Sequence, residues 1–184
     1  KHSTLTALKS LSDKGAVIKE LDIKIDFESG FQAHRVVQQS EMAQWHKPLY
    51  LKYANKYKPI TLEYIKSGFS QNAIDYINAL EFRKQMQKII IDALKSFDVL
   101  MMPTASGLPP KDLSRTGDTR FQSPWTFTGL PSIAIPAGLS EDRLPQSIQL
   151  VSEPFKEKKL LNAAKWIESV LGTLPAPKVK ESLL

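Results

Sequence analysis

Apolar residues recur at helical spacing through much of this chain. Ser3 is placed to cap a first helix carrying Leu5, Leu8 and Leu11 on one side, with Gly15 at its C′ position. From Val17 to Ile25 the pattern changes. Val17, Leu21, Ile23 and Ile25 alternate with Glu20, Asp22 and Lys24, the period of a half-buried strand. Residues 27–57 return to helical spacing through Phe31, Val36, Val37, Met42, Trp45, Leu49, Tyr50 and Tyr53. Their aromatic stripe is expected to face a core, and Pro48 to break or kink the helix near Trp45. Pro59–Ile65 predicts a short helix with proline at its start, ended around Gly68. The strongest helical pattern runs from Asn72 to Lys95. Asn72 and Asp75 have capping-box spacing, and Ala79, Phe82, Met86, Ile89, Ile90 and Ala93 form its apolar stripe.

Beyond that helix the apolar runs shorten. Val99–Met102, Ile133–Ile135 and Ile148–Val151 predict three strands. Pro103 and Pro136 follow the first two, and proline donates nothing to a ladder, so each is expected to end its strand. Gly129-Leu-Pro131 introduces the second strand, with Gly129 and Pro131 as backbone devices of a turn. Between Pro103 and Gln122 lies a polar, Pro- and Gly-containing stretch, expected to be a long loop, functional or mobile. A last helix carries Leu160, Ala163, Ala164, Ile167, Val170 and Leu171 and stops at Gly172, with Pro175 beyond. Alternating helices and strands define an α/β chain of one domain over 1–172, followed by a tail, 173–184. There is no internal repeat.

The central stretch carries a resemblance. Asp98-Val-Leu-Met-Met-Pro-Thr104, then Phe121, then Pro124-Trp-Thr-Phe-Thr-Gly-Leu-Pro-Ser-Ile-Ala-Ile-Pro-Ala-Gly138, Leu144-Pro145 and Ile148-Gln-Leu-Val151 come in an order and spacing that resemble the C-terminal part of the amidase signature family. Tyr76, Ala79 and Arg83 are similar to the helix that precedes them in that family. The resemblance implies the C-terminal portion of an α/β/α sandwich, a mixed sheet covered by helices. It implies an intact protein that cuts or transfers a carboxamide through an acyl-enzyme, using a serine, a second serine in a cis peptide and a lysine. It also implies a substrate channel beside Phe121, Trp125 and Thr128, with the alternative that Trp125 merely covers a sheet edge. Arg143 departs from the family pattern, which commonly has Gly before Leu-Pro. Gln146 and Ser147 depart too, standing where the family usually has an apolar residue and Gly.

The serine–cis-serine–lysine segment of that family has no counterpart here. The sequence contains no Ser-Ser pair, no Gly-Gly pair and no Gly-x-Ser-x-Gly. Ser132 stands at a turn, but activation needs a positioned base, and no motif supplies one. No catalytic residue is therefore assigned, and the chain is expected to be inactive alone. Its abrupt N-terminal start reads as though cut from a longer chain. The expected partners are a small amide substrate in the intact enzyme, and either the missing N-terminal catalytic part or a second copy. Within the family, a general amidase or a relative of the amidase part of urea and allophanate degradation fits Gly117–Phe121 and Pro124-Trp125 best. An amidotransferase A subunit is the lesser alternative. A non-catalytic binding module, or one piece of a split enzyme, is the reading from a different class.

Composition narrows the rest. Of 184 residues 42% are hydrophobic, enough for a core and too many for a disordered chain. Absence of cysteine excludes disulfides, thiolate zinc sites and cysteine catalysis, and fits a reducing, cytoplasmic setting. A net charge of +6 invites a nucleic-acid reading, yet the lysines are scattered, with no arginine cluster or aromatic stacking platform, so no nucleic acid is expected. Lys52, Lys56 and Lys58 read as solvated helix-surface charges. His2, His34 and His46 have neither the spacing nor the acidic company of a metal site, and no metal or cofactor is expected. Asp112 and Asp118 read as loop surface. No apolar run approaches a membrane span, so no membrane is expected.

Overall fold

The computed structural model describes residues 2–112 and 116–176. Part of the expected tail and the centre of the long loop thus lie outside the described residues. The chain forms two compact units: Lys1–Leu21, Ser96–Phe121 and Pro131–Leu184 make the first, Asp22–Lys95 and Gln122–Leu130 the second.

In the first unit a three-stranded sheet, order β1-β3-β2, packs against two helices. The strands are β1 (Leu100–Pro103), β2 (Ser132–Leu139) and β3 (Pro145–Val151), and the helices are α1 (His2–Asp13) and α6 (Glu157–Leu171). Both pairings are antiparallel, with Val151 between Leu100 and Ser132 and Ile148 between Pro103 and Ile135. Of the mixed sheet implied by the resemblance, the described residues supply this antiparallel part. Alternation sorts the central strand. Ile148 and Leu150 join Ala7 and Leu11 of α1, Ile135 of β2, and Leu160, Ala164 and Ile167 of α6 in one apolar cluster. Lys159 of α6 donates to the Phe97 carbonyl (2.7 Å), which ties the lead-in of β1 to that helix.

Three expectations change in this unit and where it meets Asp22. Pro136 does not end β2, which runs on to Leu139. The strand lies at the edge of the described sheet, and its register slips between Pro136, which pairs with Ser147, and Gly138, so the proline borders a bulge on an edge where its missing donor is tolerated. Val17–Ile25 forms no ladder. A strand needs a neighbour for its N–H and C=O groups, and none of the described residues pairs with this extended segment, whose Val17 is 82% exposed. In α1, Ser3 lies inside the helix rather than at its cap, and the buried face is Thr4, Ala7 and Leu11, with Leu5 exposed.

The second unit is helical: α2 (Phe27–Tyr53), α3 (Pro59–Phe69), α4 (Ala73–Leu94) and the short α5 (Ser123–Thr128). Asp26 caps α2 by accepting from the Ser29 amide (3.1 Å), and Asn72 caps α4 by accepting from the Asp75 amide (2.8 Å), as the capping-box spacing predicts. Pro59 sits in the first turn of α3. α2 differs from expectation twice. It continues through Pro48 to Tyr53, and its buried positions are Gly30, Ala33, Val37, Gln39 and Ala43, while Trp45 is 79% exposed. Small residues let α3 and α4 approach the α2 backbone closely, while Trp45 faces outward and Phe31, Tyr50 and Tyr53 are half-buried. Ile89 of α4 is likewise exposed, whereas Ala79, Met86, Ile90 and Leu94 are buried.

Candidate functional site

The turn before β2 is a helix with a defined stop. Pro124 opens α5, where its missing N–H is no loss. Gly129 closes it in the left-handed region, φ +70°, donating to the Thr126 carbonyl (3.3 Å), and the Leu130 amide reaches the Trp125 carbonyl (3.0 Å). That conformation is the reason for glycine here. Pro131, in the first unit, accepts from the Ser152 amide (3.2 Å) and so stitches the start of β2 to the end of β3.

The residues expected at a substrate channel divide between the units. Trp125 and Thr128 are buried in the helical unit. The Thr128 hydroxyl donates to the Pro124 carbonyl (2.6 Å), and the Thr128 carbonyl accepts from Gln87 of α4 (2.7 Å). Phe121, half-buried, belongs to the sheet unit, where its carbonyl accepts from the buried Gln149 side chain (3.0 Å). Ser132 is exposed, and its hydroxyl makes no hydrogen bond among the described residues.

Around Phe127, beside the expected residues, the helical unit gathers a cluster that the spacing of the sequence does not disclose. His34 of α2 stacks on the Phe127 ring (centroids 5.2 Å apart, planes at 27°), and the Arg83 guanidinium of α4 lies 6.0 Å from the same ring centre. Burial and, secondarily, the Arg83 charge hold the His34 imidazole below its ordinary pKa. A signal was present: Arg83 interrupts the buried side of α4 between Ala79 and Met86.

Two open grooves stand elsewhere. One, about 1370 Å³, belongs to the sheet unit and is lined by Leu8, Val17, Leu21, Val99, Met101 and Trp166 among others. A smaller one, about 670 Å³, lies on α2 and α4 at Glu41, Trp45, Pro48 and Tyr76. Neither is lined by Phe121, Trp125 or Thr128. Among the described residues no cluster of His, Asp and Glu has the makings of a metal centre, and no helix is long and apolar enough to cross a membrane.

The helices and the antiparallel sheet make this an α/β protein, and its fold recurs among solved structures. A solved amidase structure superimposes with a TM-score of 0.84 at 21% identity, covering 93% of this chain and 42% of that one. Allophanate hydrolase of Kluyveromyces lactis superimposes with a TM-score of 0.69 at 24% identity, over 92% of this chain and 29% of the enzyme. In sequence, the glutamyl-tRNA(Gln) amidotransferase A subunit of Alkaliphilus metalliredigens is 28% identical over 197 aligned residues, 90% of this chain and 40% of the relative. The Amidase family model matches residues 1–161, and the chain belongs to that family. It spans about 40% of the length of that curated relative.

Proposed function

We propose that this chain serves as the C-terminal part of an amidase, a hydrolase of carbon–nitrogen amide bonds that works through an acyl-enzyme. The observation that carries this is the family match over residues 1–161. In the working enzyme, residues 1–172 supply sheet strands, covering helices and one pocket wall. Phe121 faces the substrate from that wall, with Trp125 and Thr128 holding the segment in place and Gly129 and Pro131 fixing its turn. The nucleophile, its base and the oxyanion donors come from the serine- and lysine-bearing segment that the family has and this sequence does not contain. Their source is further polypeptide or a partner chain, in a cytoplasmic setting, and the substrate is a small amide.

The test is an amidase assay with this chain alone and then with the protein as its gene encodes it. The chain alone is expected to show no turnover above background and no labelling by a serine-directed fluorophosphonate. Turnover by this chain, abolished by Ser132→Ala, would overturn the reading.

The amidotransferase relative supports a second reading, in which the acyl group passes to an amine rather than to water. Competition between water and added ammonia or hydroxylamine for the acyl-enzyme of the gene-encoded protein separates the two.

A further inference from the structure

We propose that Arg83 and His34, gathered at the Phe127 ring of the helical unit, form a binding site for a small monocarboxylate. The site goes beyond the amidase reading and does not rest on it. Arg83 is half-buried, and among the described residues it makes no ion pair and no hydrogen bond. Its guanidinium carbon lies 6.0 Å from the centre of the Phe127 ring, on which His34 stacks. A guanidinium beside an aromatic ring and without a protein acceptor keeps the N–H donors of its plane available to a ligand oxygen. A half-buried cation without a counter-ion is an unfavourable arrangement that an anion relieves.

The surroundings set the charge and shape of that anion. His34 also makes no hydrogen bond among the described residues, and its ring is held neutral near pH 7 by burial and by Arg83. A neutral imidazole offers one N–H donor and adds no charge. The site therefore presents one positive charge, one planar fork and one further donor beside an aromatic surface. A monoanion with two coplanar oxygens on a short apolar stem matches all four, and a phosphate dianion matches the charge poorly. The remaining ionisable groups do not compete. α5 carries no ionisable side chain. Tyr76, the other α4 group coupled to Arg83, donates its hydroxyl to Glu41 of α2 (3.2 Å), and Tyr64 of α3 donates to Gln38 (3.4 Å).

The experiment follows the His34 ring by NMR during pH titrations of the full chain, in sodium acetate and in sodium chloride at equal ionic strength. The His34→Gln spectrum assigns the resonance. A bound carboxylate favours the imidazolium, so acetate is expected to raise the His34 pKa above its value in chloride, saturably. Arg83→Gln is expected to abolish that difference. In Arg83→Lys, which keeps the charge and loses the fork, propionate affinity by calorimetry is expected to fall about tenfold. Equal titrations in acetate and chloride would overturn the proposal, and this comparison needs no variant to fold. An acetate effect retained in Arg83→Gln would overturn it too. Inorganic phosphate displacing acetate with a larger effect would sink the monocarboxylate assignment.

Discussion

Gly68 of α3 lies directly against the backbone of Gln39 of α2. A Cβ placed on Gly68 would stand 2.0 Å from the Gln39 carbonyl oxygen and 2.6 Å from the Ala43 Cβ. The obstacle is the main chain of another helix, which has no rotamer to change. Gly68→Ala is therefore expected to destabilise the helical unit by about 3 kcal/mol, the upper range for overpacking. Urea unfolding checks it, with Gly107→Ala as the control, since nothing lies within 4 Å of a Cβ there.

Arg143 occupies the hairpin between β2 and β3 at φ +59°. Its amide donates to the Ser140 carbonyl (2.9 Å), and the Ser140 amide donates to the Leu144 carbonyl (2.9 Å), so the turn holds the residue in the left-handed region. Glycine adopts this region without strain. Arg143→Gly is expected to stabilise the first unit by about 1 kcal/mol, because the left-handed strain exceeds the added chain entropy. A loss of stability in thermal unfolding would show that the arginine side chain contributes something the backbone argument misses.

How far the sequence reveals this molecule depends on whether the signal is local. The Asn72 cap, the Pro59 helix start, the Gly172 stop and the apolar side of α6 are local, and all are as the spacing predicts. Fold class and family were legible for another reason: many weak pieces between Asp98 and Val151 come in a fixed order. What failed depends on neighbours. The alternation at Val17–Ile25 marks two faces but cannot show that no strand lies alongside. Trp45 has core-like chemistry, yet α2 buries its small residues because α3 comes so close at Gly68. Pro136 reads as a stop until its strand is known to be an edge with a bulge. The cluster at Phe127 joins α2, α4 and α5 across 93 positions of sequence, from His34 to Phe127, and no spacing rule reaches that far.

Thr128 is fully buried, with its hydroxyl on the Pro124 carbonyl at 2.6 Å. Thr128→Val keeps the shape and removes the donor. It is expected to cost about 1.5 kcal/mol, since a buried acceptor loses a partner and no water replaces it. Thr128→Ser keeps the hydroxyl and should lose less than Val if the bond rather than the methyl carries the effect. Chemical denaturation of the two variants side by side measures the difference.

His34 makes the stability of the helical unit depend on pH with a definite sign. Its folded pKa lies below the ordinary 6.5, first through burial and then through the Arg83 charge. Between the two values the unfolded chain binds the extra proton and the folded chain does not. Stability from this group is therefore complete above about pH 6.5, falls as pH drops through the window, and levels off below the folded pKa. Asp26 is separated from it, because its carboxylate, lowered by its bonds to Ser29, loses stability only as pH falls below 3.8. Urea midpoints measured from pH 8 to 5 in a carboxylate-free buffer are expected to decline for the native chain and to lose that slope in His34→Gln. Changing chloride for acetate at the same ionic strength should shallow the decline, because a carboxylate beside Arg83 raises the folded pKa toward 6.5. A decline of the same steepness in His34→Gln would assign the pH dependence to another group.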